Sequence, residues 1–288
     1  MNRFTGAPAL AVAAVAAAGV SPADATALQT GRQGGPVVSL GVSWMLSTPA
    51  RLTDDDDQGA AALFGTEEFD DGQFEGGFEI VAALAYRTGM LRFQAEFGGA
   101  NGRGFGGDRK FRGNTNYPEA GTEQPTAGRM SVNRLMVAVY LDLPGIGDTR
   151  ALGPRRRPLF QPYLGVGGGL GWYYFFGYTQ QFPDPDDPDG GLRRGPDDEI
   201  PYTAGPPGSG QSGAWMLSAG FVVPVIAGLS LDLSYRYTDM GSVGTDAGQI
   251  NVVRYGEQGE TLRAATRINP ITGRYRPHAV AVLFRLGS

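Results

Sequence analysis

Strict two-residue alternation in the segment from Ser212 to Gly241 constrains this chain more than any other feature. In its second half, apolar residues at odd positions from Leu229 to Tyr237 alternate with polar residues at even positions. A period of two predicts a strand with one apolar and one polar face, and two such strands joined by a short turn predict a β-hairpin. Each strand has about ten residues, the length that a tilted strand needs to cross a bilayer. The parity places a three-residue turn at 226–228 and predicts a positive φ at Gly228.

The same alternation recurs along the chain and predicts six further strands. They are expected at 37–46, 78–87, 90–98, 131–143, 159–175 and 276–286, with long loops at about 47–77, 99–129, 176–211 and 239–275. In a closed antiparallel barrel, this order of connections places the four long loops at one end and both termini at the other. The predicted fold class is therefore an all-β, eight-stranded antiparallel up-and-down transmembrane β-barrel.

The amino terminus differs in kind from the remaining chain. A short positive start, Met1 to Arg3, precedes an Ala/Val-rich run at 8–20 and the sequence Ala23-Asp24-Ala25. This pattern predicts a secretory signal peptide, residues 1–25, cut after Ala25. Residues 26–288 are expected to form the exported barrel, with its four long loops outside the cell.

Composition excludes several function classes. The chain of 288 residues has no cysteine, which rules out a disulfide framework and any thiolate metal site. Its net charge is -5, and the one dense basic cluster is Arg155 to Arg157, so nucleic acid is not expected as a partner. We predict no cofactor and no metal.

An eight-stranded barrel could also be a soluble lipocalin-like cup, with apolar residues inside and polar residues in water. The polar face of the predicted strands, however, has few charges and is filled in by Gly, Ala, Ser and Met. A water-facing surface is normally denser in charge. The apolar face has no Asp, Glu, Lys or Arg, which favours contact with lipid.

Nine charged residues fall on the polar, lumen-facing side. They are Glu79, Arg87, Arg92, Glu96, Arg134, Asp142, Asp232, Arg236 and Arg285. These residues could form a selectivity lining, but the preferred interpretation is a structural ion-pair network that plugs a narrow lumen, since buried charges must be paired. Depth along the strands predicts two pairs, Asp232 with Arg285 and Arg92 with Asp142.

Three segments resemble the family of small outer-membrane barrels of Gram-negative bacteria, which includes the OmpA barrel, OmpX and the opacity-type surface proteins. They are 160–175 (FQPYLGVGGGLGWYYF), 229–241 (LSLDLSYRYTDMG) and 278–286 (HAVAVLFRL). The resemblance implies location in the bacterial outer membrane, contact with its lipid and lipopolysaccharide, and insertion by the barrel-assembly machinery. That family usually ends in an aromatic residue, whereas this chain ends in Leu286-Gly287-Ser288.

The expected function is non-enzymatic, with a structural or cell-surface interaction role and a possible extracellular ligand on the long loops. The alternatives are a narrow porin-like channel and a lipid-A-modifying enzyme. Some eight-stranded lipid hydrolases place His and Ser two residues apart, but here His278 is followed by Val280. The acidic stretches 54–57 and 184–189 could bind Ca²⁺, but their spacing departs from known calcium loops, and solvated loops are preferred.

Overall fold

Antiparallel β-strands form almost all of the described structure. The computed structural model describes residues 34–50, 52–54, 72–110, 123–146, 150–152, 155–182 and 193–287. Eight long strands form the barrel: β1 Gly34–Met45, β2 Gly77–Thr88, β3 Leu91–Lys110, β4 Glu123–Asp142, β5 Gln161–Gln181, β6 Gly208–Ile226, β7 Leu229–Asp239 and β8 His278–Gly287. Within these ranges, no helix reaches the length and apolar character that a membrane-spanning helix needs.

The eight strands pair in chain order and close into a ring. The last strand, β8, pairs antiparallel with both β7 and β1, so that Leu286 lies opposite Leu229 on one side and Val38 on the other. The closed ring leaves no unpaired edge among the eight strands. The strand pairing therefore confirms the predicted eight-stranded up-and-down barrel.

Two barrel strands are much longer than the sequence predicted. β3 continues to Lys110 and β4 begins at Glu123, and these two residues are paired, so most of the segment 99–129 is strand and not loop. In β4 the inward and outward positions alternate without a break, but residues 124–129 are almost all polar or small, so the sequence shows no apolar face there. In β3 the cause is a β-bulge, because a bulge adds a residue to one strand and shifts which residues face inward. The register shifts between Ala100 and Arg103, where Gly102 has φ of 64°. Simple alternation therefore stops at the bulge although the strand does not.

Short strands organise much of the described chain beyond the barrel at the long-loop end. They are Thr48–Pro49, Thr53–Asp54, Gln73–Phe74, Tyr202–Ala204, Ser242–Gly244, Gly248–Tyr255, Thr261–Ile268 and Ile271–Arg274. In the connection between β4 and β5, two further short strands, Arg150–Leu152 and Arg155–Arg157, pair with each other. The hairpin of 248–255 and 261–268 joins the barrel through 202–204, which pairs with the end of β5. The expected loop at 239–275 is thus largely strand.

The hairpin that opened the sequence analysis forms β6 and β7. Gly228 has φ of 80°, the positive value that the sequence predicted. The turn has two residues instead of the expected three, because Ile226 pairs directly with Leu229 and a register shift between Pro224 and Ile226 absorbs the extra residue.

Candidate functional site: the lumen and the outer wall

Glu96 lies at the centre of the polar network inside the barrel. Its Oε1 is 2.7 Å from Nη2 of Arg134 and 2.6 Å from Nη1 of Arg236. Its Oε2 accepts a hydrogen bond of 2.9 Å from Gln94. The carboxylate is 1% exposed and joins strands β3, β4 and β7 across the lumen. Alternation along each strand turns these side chains inward, and barrel closure then places them within contact distance.

Towards the long-loop end, Arg134 also forms a two-pronged ion pair with Glu79. Its Nε and Nη2 donate to the two carboxylate oxygens of Glu79 at 2.7 and 3.0 Å. Such paired hydrogen bonds between charged groups are strong and directional. A cavity of about 10 Å³ adjoins the pair, lined in part by Ser43, Thr238 and Met240. This volume is about that of a single water site, so the cavity has no room for a solute.

At the short-turn end, Asp142 lies between two arginines. Its Oδ1 is 3.4 Å from Nη2 of Arg92, and its Oδ2 is 3.4 Å from Nε of Arg87. The Arg92 guanidinium packs over the ring of Tyr140, 4.0 Å from its centroid. Arg92 also donates a 2.6 Å hydrogen bond to Gln94, which connects this pair to Glu96. The network therefore extends over much of the length of the lumen.

A second cluster occupies the same end. Nε of Arg285 lies 3.3 Å from Oδ2 of Asp232, and Tyr163 donates a hydrogen bond to Oδ1 of Asp232. The Arg285 guanidinium also lies over the ring of Tyr163, 5.7 Å from its centroid. The buried Asp232 carboxylate thus accepts a hydrogen bond from the Tyr163 phenol and forms an ion pair with the Arg285 guanidinium, two polar contacts that offset the cost of burying its charge.

All nine charged residues that the sequence placed in the lumen point into the barrel. Eight of them are at least 94% buried, and Arg87, at the short-turn mouth, is the most exposed with 28% of its side chain accessible. The two pairs that depth suggested, Asp232 with Arg285 and Arg92 with Asp142, each lie within 3.4 Å.

Sequence reasoning missed a tenth lumen charge, Arg103. It lies beyond the bulge in β3 and is 4% exposed. Its guanidinium donates to the carbonyl oxygens of Leu46 and Glu75 and packs over Tyr275, 5.4 Å from the ring centroid. The single sequence has no signal for this residue, because the bulge at Gly102 that turns position 103 inward after position 100 depends on the pairing with β4. Arg103 therefore connects β3 to the end of β1, to the chain preceding β2 and to the chain preceding β8.

An aromatic cluster, here named the aromatic cap, lies beyond the network on its long-loop side. Phe74, Phe105, Phe175 and Tyr275 are each at most 3% exposed. The Phe74 ring lies 5.2 Å from those of Phe105 and Tyr275 and 6.2 Å from that of Phe175. Leu52, which is completely buried, belongs to the same cluster. The cap combines the extended barrel strands with residues from two of the expected loops.

Glycines in β5 make room for the large lumen side chains. A Cβ at Gly165 would lie 2.2 Å from Cδ1 of the buried Tyr140 ring, which is an impossible contact. We expect Gly165→Ala to lower the free energy of unfolding by about 1–3 kcal/mol, because Tyr140 must move in a filled interior. Urea titration of the protein in micelles, followed by tryptophan fluorescence, measures this loss.

Gly213→Ala in the neighbouring strand β6 is the matched control, because a Cβ there meets nothing within 4 Å. The control is expected to leave stability nearly unchanged. Equal stability of the two variants would show that the lumen can relax around Tyr140, contrary to a closely packed interior.

The outer wall of the barrel is apolar. The outward side chains include Leu40, Val42, Trp44, Phe78, Ile80, Leu84, Tyr86, Phe93, Leu135, Val137, Leu164, Val166, Leu217, Phe221, Val280 and Phe284, all between 40 and 66% exposed. Aromatic pairs lie near both ends of this surface, Trp44 with Phe78 near the long loops and Phe160 with Phe221 near the short turns. An apolar band with aromatic residues at both borders is typical of transmembrane barrels.

This surface decides between the two predicted alternatives. A soluble cup needs its apolar face inside, but here that face points outward and the polar face is buried. The chain is a transmembrane β-barrel of the outer-membrane type. The predicted location in the bacterial outer membrane follows, because closed antiparallel barrels with such a band are built for that membrane.

Comparisons with known proteins find only distant structural similarity. No protein-family model matches the chain. No curated protein matches it either. One similar solved structure is that of the Neisserial surface protein A (NspA), with a TM-score of 0.37 and 11% identity, covering 88% of this chain and 99% of that one. The outer-membrane protein OprG from Pseudomonas aeruginosa has a TM-score of 0.40 and 10% identity, covering 90% of this chain and 99% of that one. The outer-membrane protease OmpT from Escherichia coli has a TM-score of 0.41 and 11% identity, covering 88% and 96%. At these identities and TM-scores the likeness transfers no activity to this chain.

The other predicted sites have different outcomes. His278 lies on the outward side, where its Nδ1 contacts the hydroxyl of Tyr235 and its ring packs 5.1 Å from that of Tyr237. It is thus part of the aromatic border. No cluster of His, Asp and Glu that could hold a metal occurs among the described residues. The acidic stretch 184–189 and most of 54–57 lie outside the described part of the chain.

Proposed function

We propose that this protein is a closed, non-enzymatic outer-membrane barrel with a structural and cell-surface interaction role. Burial of the lumen charges carries the proposal. A water-filled channel leaves its lining side chains accessible, yet Arg92, Glu96, Arg134 and Arg236 are at most 4% exposed. Their ion pairs join β3 to β4 and β7 across the lumen, and the aromatic cap lies above them.

Planar-bilayer recording tests the closed lumen. We expect the reconstituted protein to show no conductance steps, because the cavity beside the buried network at Arg134 has a volume of only about 10 Å³. Heat-modifiable gel mobility of the same sample establishes that the barrel has folded. Stable, voltage-independent channels in folded samples would contradict the proposal and support the narrow-pore alternative.

The structured strands at the long-loop end are the proposed interaction region, because connections of this size exceed what turns require. Lipid and lipopolysaccharide surround the apolar wall, and the barrel-assembly machinery is the proposed partner during insertion. Incubation of the purified protein with lipopolysaccharide tests the enzymatic alternative. We expect unchanged acyl composition of the lipid, whereas loss or gain of acyl chains would establish an enzyme.

A further inference from the structure

Two exposed arginines flank a buried carboxylate just beyond the aromatic border of the outer wall. Oδ2 of Asp239 lies 3.1 Å from Nε of Arg276 and 3.6 Å from Nη2 of Arg274. The Asp239 side chain is only 6% exposed, but those of Arg276 and Arg274 are 46 and 63% exposed. One carboxylate therefore faces two guanidinium groups, and the cluster has a net charge of one positive unit.

The aspartate holds the two arginines side by side. Its Oδ1 accepts a 2.9 Å hydrogen bond from the backbone N–H of Gly241, which fixes the carboxylate while Oδ2 faces both guanidinium groups. Each of the two ion pairs engages one nitrogen of a guanidinium, Nη2 of Arg274 and Nε of Arg276, and much of each arginine side chain stays accessible. A guanidinium offers five N–H donors in a planar fork, so donors remain for an external anion.

The position of this cluster along the barrel indicates the ligand. Tyr237 lies opposite His278, and Asp239 lies opposite Trp215, on the neighbouring strands. The rings of Trp215 and Tyr237 are 5.2 Å apart. Trp and Tyr rings collect at the membrane–water interface. Arg276 precedes His278 by two residues, which is about 7 Å along a strand. The guanidinium groups therefore lie just outside the aromatic border, at the depth of lipid headgroups.

We propose that Arg274 and Arg276 bind the phosphate of a lipid headgroup at the long-loop side of the membrane, with Asp239 as a positioning residue. Guanidinium groups bind phosphate through paired, charge-assisted hydrogen bonds. The aromatic rings of Trp215 and Tyr237 lie directly below, where they contact the sugar or glycerol and the first acyl carbons. This proposal rests on the proposed membrane barrel and adds a defined lipid site to it.

Lipid titration of the folded protein in detergent, followed by native mass spectrometry, tests the site. The probes are bis-phosphorylated lipid A, the same lipid A after phosphate removal, phosphatidylglycerol and inorganic phosphate. We expect phosphorylated lipid A to bind about tenfold more tightly to the natural protein than to an Arg274→Gln/Arg276→Gln variant. Binding of phosphatidylglycerol shows whether the site accepts any lipid phosphate or only that of lipid A. Binding of inorganic phosphate shows whether the site accepts a free anion or requires a lipid headgroup.

Two control variants remove exposed arginines elsewhere, and the first of them matches the loss of two charges. Arg263→Gln/Arg267→Gln removes two exposed arginines from the hairpin strand Thr261–Ile268. Arg129→Gln removes one outward arginine that lies opposite Phe176, beyond the stacked rings of Tyr174 and Phe176. Both are expected to bind lipid A as the natural protein does.

Equal lipid A binding by the Arg274/Arg276 variant and the natural protein would overturn the site. Binding of dephosphorylated lipid A as tight as that of phosphorylated lipid A would also overturn the site, since the lipid would then be held by general contact with the barrel. A loss of binding in either control as large as that in the Arg274/Arg276 variant would overturn it too, since any positive charge would then serve. These outcomes would contradict only the lipid site. The proposed closed, non-enzymatic barrel would be contradicted by different results, namely conductance steps or acyl transfer by the natural protein.

Discussion

Replacement of Glu96 by alanine is expected to lower the free energy of unfolding by about 3–5 kcal/mol. The substitution removes the carboxylate that faces both Arg134 and Arg236, and these two guanidinium groups are at least 96% buried. Arg134 keeps Glu79, but Arg236 keeps only a 3.2 Å hydrogen bond to Ser234 among its described polar contacts. Removal of one partner from a buried ion pair is costly because the other charge stays out of water. Urea titration in micelles measures the change.

Glu257→Ala is the matched control. Glu257 pairs with Arg193 at 3.1 Å, but 83 and 55% of the two side chains are exposed. Water screens such a pair, so we expect a loss of less than about 1 kcal/mol. Glu96→Gln, which keeps the shape of the side chain but not its charge, is expected to fall between the two. Equal effects of Glu96→Ala and Glu257→Ala would mean that water reaches the centre of the lumen, and the closed barrel would then be wrong.

Replacement of Phe74 by alanine is expected to lower the free energy of unfolding by about 3–5 kcal/mol. Phe74 is fully buried and contacts the rings of Phe105, Phe175 and Tyr275. Its removal leaves a cavity bounded by barrel strands, which are held by their own pairing and cannot collapse freely. We also expect faster proteolysis of the long-loop end, because Phe74 joins the chain before β2 to the barrel interior. Urea titration and limited proteolysis measure the two effects.

Phe78→Ala is the matched control for Phe74. The two residues are four positions apart, but Phe78 is 62% exposed on the outer wall. Its removal leaves a space that lipid or detergent fills, so a clearly smaller loss of stability and unchanged proteolysis are expected. A similar loss in both variants would indicate that the cap contributes no packing of its own, and the aromatic cluster would then not close the lumen.

Alternation alone identified the faces of the barrel strands correctly. Leu40 and Trp44 point outward while Ser39 and Ser43 are buried, as their parity predicted. The reason is geometric, because successive side chains of any strand point to opposite faces and a closed barrel has only an inside and an outside. The nine lumen charges followed from the same rule.

What alternation could not provide was the course of the strands beyond their first irregularity. The bulges at Gly102 and Gly177 shift the inward positions, and the lumen residues Arg103 and Phe105 lie after the first of them. A bulge depends on the pairing with the neighbouring strand, which a single sequence does not show. For this reason the sequence predicted a loop where β3 continues.

The sequence by itself determined the strand number, the order of the connections and which face meets lipid, since these depend on period and parity along the chain. Only the tertiary structure decided that Glu96 lies between Arg134 and Arg236, that Phe74 and Tyr275 meet in a cap, and that Asp239 lies between Arg274 and Arg276. These contacts join residues far apart in the chain, and their distances depend on the register of each strand against its neighbours around the closed barrel.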